Sequence, residues 1–201
     1  MNNPGDSSRY ELSFSTGGLM VHEAGVLVPL FNQCHDWEQV RQQVLRENLL
    51  QARTRSSAVR MLRETIKRLE ALTDEELEIV PSLTAMELGH LMWAAACRRY
   101  AFIGEFAEEV LREGFLTLSL TLTVEEYDSF FRSKVVWHEE LTEITESTYK
   151  ELRQVIFRMM KQAGLLTKNQ EIEPALLSDR VLALLDKRIP SDSRFFPLRT
   201  N

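Results

Sequence analysis

Apolar residues recur at intervals of three and four along most of this chain, the spacing of helices that bury one face. Trp37, Val40, Val44 and Leu45 follow it between Asp36, a capping residue, and Glu47, so a helix is expected over 37–47. An earlier one is expected over 19–31, bent or ended by Pro29. Ser56 and Ser57 read as caps of a third helix, with Val59, Leu62, Ile66 and Leu69 as its buried stripe. Thr73 with Glu76, and Thr123 with Glu126, have the spacing of capping boxes. They predict helices over 74–80, stopped by Pro81, and over 124–135. A long apolar helix is expected over 84–112, with Gly104 as the place where it would break and Gly114 as its end. Another spans 146–163, closed by Gly164. Ser178 caps a last helix reaching Lys187.

Two stretches depart from this period. FLTLSLTL (115–122) alternates apolar and polar residues, as a strand or a short extended linker does, and Glu171–Ala175 reads as short and extended. The expected fold is therefore mainly α: a compact multi-helix protein with at most short strands. Its expected parts are an N-terminal arm (1–16) that becomes ordered near 10–14, a helical domain (17–114), a helical C-terminal subdomain (115–187) and an irregular surface tail (188–201). Helix 146–163 carries Lys150, Arg153, Arg158 and Lys161 and is followed by AGLL and an extended stretch. That order resembles the recognition helix and wing of winged helix-turn-helix domains, although many helical proteins end a helix at Ala-Gly-Leu.

Composition agrees with helix, since Leu, Glu and Arg dominate and the 201 residues include only 8 Gly and 6 Pro. Cys34 and Cys97 have no metal or redox spacing, which suits a reduced, cytoplasmic protein. The start, MNNPGDSS, is polar, so no signal peptide is expected. The most apolar stretches are 18–31, which contains His22 and Glu23, and 88–97, about half the roughly 20 residues a bilayer needs. No membrane span is expected.

Catalytic chemistry is absent at the level of motif. Gly17-Gly18 is not followed by Lys-Ser or Lys-Thr, and there is no Gly-x-Ser-x-Gly, His-Glu-x-x-His or Cys-x-x-Cys. Cys34 and His35 are adjacent, so their side chains diverge, and they read as a buried thiol beside a loop histidine. His22, His90 and His138 are widely separated. The pairs Glu108-Glu109, Glu125-Glu126 and Glu139-Glu140 suit solvated faces or first helical turns. The chain is expected not to be an enzyme, and to hold no metal, cofactor or small-molecule substrate.

Charge changes the picture. The chain carries a formal net charge of −6, yet residues 41–68 hold eight basic residues against two acids. Arg60, Arg63 and Lys67 fall at i, i+3 and i+7 beside the apolar stripe, and Glu64 is placed to pair with Arg60 or Arg68. Such a run is either a solvated or internally paired face or a site for a polyanion. Arg supplies most of it, and the guanidinium fork suits phosphate oxygens. Aromatic residues are not interleaved with it, which disfavours a base-stacking platform.

Several stretches carry a family resemblance: NLLQARTRSSAVRMLRETIKRLEALTDEEL (48–77), AACRRYAFIGEFAEEVLRE (95–113) and LRQVIFRMMKQAGLL (152–166), with YELSFSTGGLM (10–20) and FFRSKVVWHEELTEITEST (130–148). In order and spacing they resemble the BrxA family of the BREX bacteriophage-exclusion systems, over about 10–187. The resemblance implies a small helical protein working with other BREX proteins. It brings a comparison with the helical RNA-binding protein NusB, hence a helical bundle, and a proposed affinity for DNA. It transfers no catalytic residue. The joint expectation is a non-enzymatic BREX accessory protein that binds double-stranded DNA through Arg53, Arg55, Arg60, Arg63, Lys67 and Arg68. Arg98 and Arg99 join them if the long helix packs alongside. Contacts to phosphates predict low sequence specificity. The alternatives are an adaptor that docks a larger BREX component and, by the NusB comparison, RNA binding.

Overall fold

The computed structural model describes residues 9–15 and 17–199, and most of the expected N-terminal arm lies outside them. Among the described residues the regular structure is helical apart from isolated bridges. Helices α1 (Val21–Cys34), α2 (Trp37–Glu47), α3 (Arg55–Leu69) and α4 (Asp74–Ile79) form the first half. Pro29 does not end α1: it removes one backbone bond, and the buried Ala24, Leu27 and Val28 hold the helix to Cys34, where His35 turns left-handed. Asp36 caps α2 through the N–H groups of Glu38 and Gln39. Thr73 and Glu76 form the expected capping box of α4.

Helix α5 (Ala85–Arg99) is the central element and packs against α1, α3 and α9. Every residue from Glu87 to Cys97 is buried. The long helix breaks at Tyr100, whose backbone is extended, and not at Gly104. After the break α6 (Ala101–Phe106) runs through a π-helical turn, Ala107–Arg112, into α7 (Glu113–Leu116), so Gly114 does not end it. Gly104 serves the packing instead. A Cβ there would lie 2.8 Å from the Cys97 carbonyl oxygen, so only glycine lets α6 fold back on the end of α5.

The second half holds α8 (Val124–Val135), α9 (Glu146–Gln162) and α10 (Asp179–Leu185). Gly164 after α9 has φ +70°, the left-handed C′ geometry. Three short extended pieces meet here. The Leu122 N–H donates to Gln170 O (2.8 Å) and the Ile172 N–H to Leu120 O (2.6 Å). On the other side, the Thr167 N–H donates to Glu171 O (2.9 Å) and the Glu173 N–H to Leu165 O (3.0 Å). The stretch 115–122 is thus helical to Leu116 and extended only at its end.

The tail is no loose surface segment. Phe195 and Phe196 are buried, and the Trp93 indole N–H donates to Phe195 O (2.9 Å). Near the other terminus, Tyr10 and Phe14 are buried as well. The Tyr10 ring stacks on His138 at 3.7 Å between centroids, and Phe14 packs on Tyr100 and Phe102.

Candidate nucleic-acid interface

Helix α3 begins two to three residues earlier than its serines suggest. Thr54 is the cap, accepting from the Ser57 N–H at 3.1 Å. Its buried face is Ala58, Leu62, Thr65, Ile66 and Leu69, and Val59 is 43% exposed, at the edge of the stripe. The face opposite carries Arg60, Arg63 and Lys67, as the i, i+3, i+7 spacing requires. Arg53 and Arg55 are exposed at the N-terminal end of the helix, Arg55 in line with Leu62 of the apolar stripe rather than on the outer face.

The eight predicted basic residues separate into three groups. Arg53, Arg55, Arg60 and Arg63 are exposed, and none forms an ion pair among the described residues. Lys67 and Arg99 are partly exposed, and both bind the carboxylate of Glu11, Lys67 Nζ at 2.6 Å. Long helix α5 does pack beside α3, which brings Arg99 to this face.

Arg68 and Arg98 do not belong to the surface. The Arg68 side chain is 0% exposed; its guanidinium donates to Glu64 (3.0 Å) and to Gly18 O (2.6 Å), and the Tyr100 hydroxyl donates to the same Glu64 oxygen (2.6 Å). Arg98 forks onto Glu76 with two bonds of 2.7 Å and reaches Asp192 at 2.6 Å. It thereby clamps α4 and the C-terminal segment to α5. Each guanidinium is buried against buried carboxylates: Glu64 stands at the i, i+4 spacing the sequence shows, whereas Glu76 and Asp192 lie 22 and 94 residues from Arg98.

A second basic surface lies on α9. Its exposed side chains include Ser147, Lys150, Gln154, Arg158 and Lys161, one helical face. Arg153, Gln154, Arg158 and Lys161 line a cavity of about 560 Å³ floored by Val124 and Phe157. Lys150 pairs with Glu146 (2.6 Å), Arg153 reaches Asp128 (3.5 Å), and Arg158 donates to Gly17 O (3.2 Å). The chain order here is helix, extended piece, α8, α9, then a two-piece hairpin whose outer piece pairs with the first extended piece. The turn between the two pieces of the hairpin lies at Lys168-Asn169. Met61 of α3 and Gln162 of α9 line one cavity of about 990 Å³, so the two basic helices flank one cleft.

Among the described residues no group of three His, Cys, Asp or Glu side chains is placed to hold a metal, and no helix is long and apolar enough to cross a membrane. Cys34 donates weakly to Leu30 O, and burial pushes the Cys97 thiol well up.

Comparison with known proteins supplies the process. The model of the BrxA family matches residues 8–188. A protein of Bacillus cereus (strain H3081.97) named BREX protein BrxA is 24% identical over 180 residues, covering 84% of this chain and 86% of that one. Another of that name, from Paramagnetospirillum magneticum (strain AMB-1), is 23% identical over 186 residues, covering 88% and 90%. The crystal structure of an uncharacterized protein from Magnetospirillum magneticum superposes with a TM-score of 0.75 at 21% identity, over 93% of this chain and 97% of that one, a match of fold.

Proposed function

Since the chain belongs to the BrxA family of BREX phage-defence systems, we propose that it is a non-enzymatic accessory component that holds double-stranded DNA by its phosphates. The observation that carries the proposal is the start and outer face of α3, where Arg53 and Arg55, and Arg60 and Arg63, stand exposed without a carboxylate partner among the described residues. An acidic protein with 30 Asp and Glu had ample means to neutralise them. From Arg55 to Arg63 the helix advances about 12 Å, roughly three phosphate steps along one strand. Lys67 and Arg99 extend the same face toward Glu11. The α9 face and its short wing supply a second contact, with Gln154 and Arg158 of the types that reach base edges. Arg68 and Arg98 are removed from the interface and assigned to the core.

The adaptor reading also has an observation behind it: Val136 and Trp137 stand 72% and 74% exposed between α8 and α9, and large exposed apolar side chains mark docking sites. Gel shifts of a duplex at several salt concentrations separate the two. Changing Arg53, Arg55, Arg60 and Arg63 together to Gln should make the slope of log K against log salt shallower by about 3 to 4, since each phosphate contact contributes about 0.9. A folded variant with the wild-type slope leaves the adaptor reading standing. Stronger binding to RNA than to the duplex moves the proposal to RNA.

A further inference from the structure

The two cations of this face that are paired share one partner, which comes from neither helix. Glu11 lies in the segment before α1, 56 residues from Lys67 and 88 from Arg99. One of its carboxylate oxygens takes the Lys67 ammonium at 2.6 Å, and the other takes the Arg99 guanidinium. A phosphodiester offers its two free oxygens in the same way, one to each of two cations. We infer that Lys67 and Arg99 form a phosphate site of the DNA-binding face and that Glu11 is its resident anion, displaced when a nucleic-acid backbone arrives. The inference rests on the DNA-binding reading and adds a threshold to it.

The neighbourhood suits exchange. The three side chains are 30–38% exposed, so a phosphate can reach them. The segment that carries Glu11 is anchored on both sides of it. Tyr10 is buried against His138, donating its hydroxyl to Glu105 and its N–H to Glu140, and Phe14 is buried against Tyr100. Rotation of the Glu11 side chain alone therefore opens the site, with no unfolding of the segment. The Lys67 ammonium, with Arg99, holds the Glu11 carboxyl down to about 2, so it carries its charge throughout the physiological range and competes at every pH a cell meets. The four arginines toward the start of α3 have no such competitor among the described residues. Four contacts are thus always open and two are conditional, which discriminates against short or single contacts and in favour of a backbone long enough to engage the open four first.

The test compares wild type and Glu11→Gln in duplex gel shifts over a range of salt, with thermal melting as the control of fold. Because Glu11 is displaced in the bound wild type, both proteins make the same phosphate contacts, so the slope of log K against log salt should change little while the affinity of Glu11→Gln rises roughly tenfold or more near 0.1 M salt. Adding Lys67→Gln to Glu11→Gln should make the slope shallower by about 0.9, the loss of one phosphate contact. On the wild type itself, the carboxyl carbon resonance of Glu11 should move on saturation with duplex while that of the buried Glu76 stays; this readout decides the matter if Glu11→Gln does not fold. A Glu11→Gln affinity equal to that of wild type, a Glu11→Gln slope steeper by about 1.8 because the wild type never engages the two cations, or an unmoved Glu11 resonance overturns the inference and leaves the DNA-binding reading in place. Absence of duplex binding by both proteins overturns the two together.

Discussion

Replacing Arg68 with Met is expected to destabilise the protein severely without touching the proposed DNA-binding face. The side chain is 0% exposed and spends its bonds inside, on Glu64 and on the Gly18 carbonyl. Met keeps most of the volume and removes the charge. Glu64, itself buried, would retain only the Tyr100 hydroxyl. Stranding one member of a buried ion pair costs about 3–5 kcal/mol. For a domain of this size each kcal/mol lowers the melting temperature by about 2–4 °C, so the loss should be roughly 6–20 °C. Changing Glu64 to Gln in the same chain removes the stranded charge, keeps an acceptor for Tyr100, and should recover about half of the loss. The Gly18 carbonyl stays without its donor in both variants, so recovery is incomplete. Circular dichroism melts of the three proteins measure this. A single variant melting within about 2 °C of wild type refutes the burial argument. A well-folded single variant that has lost DNA binding refutes it differently, by showing that Arg68 reaches the ligand.

Deleting residues 188–201 should leave the remainder unfolded: Phe195 and Phe196 are each the kind of core aromatic whose loss costs about 3–5 kcal/mol, and Trp93 and Arg98 lose partners. A cooperative melt of the shortened chain near the wild-type temperature contradicts that. Acid should weaken the fold in a defined window. Lys67 and Arg99 hold Glu11 down to about 2, and Arg98 lowers Glu76 against the opposing effect of its burial. Both folded-state values are depressed, so the stability they lend is present above the ordinary carboxylate value and is lost as pH falls from about 4.5 toward 2; melts of Glu11→Gln should be less steep in that window, and an identical pH profile speaks against the Glu11 bridge.

Most helices were legible because their signals are local. Asp36, the Thr73–Glu76 and Thr123–Glu126 boxes and Gly164 each act within four residues, and each stands where the sequence places it. The misplacements share a different origin. The helix breaks at Tyr100, whose hydroxyl bonds Glu64, 36 residues away, and Gly104 is needed by the Cys97 carbonyl across the bend. Phe195-Phe196 reads as part of a surface tail because the stretch around it has no apolar period; its partners are Trp93 and His90 on α5. Helical period reports which face is buried. It is silent about a segment that enters the core without a period of its own.

The basic run shows the same division in electrostatic form. An arginine read in sequence has a charge and no address. On α3, Arg68 and Arg63 are five residues apart, and geometry turns one inward to Glu64 and leaves the other outward. The turn between them was inferable, since Arg68 stands one residue before Leu69 and four after Glu64, the i, i+4 spacing of an ion pair. What no local pattern contains is the cost that decides the outcome. A buried guanidinium is tolerated only where fixed acceptors replace water, and Gly18 and Asp192 supply theirs from 50 and 94 residues away. Local charge density therefore overstates an interface, here by two of the eight residues. The reliable part of the signal is the remainder: cations that the folded chain, despite its excess of acid, leaves open or holds with a single removable carboxylate.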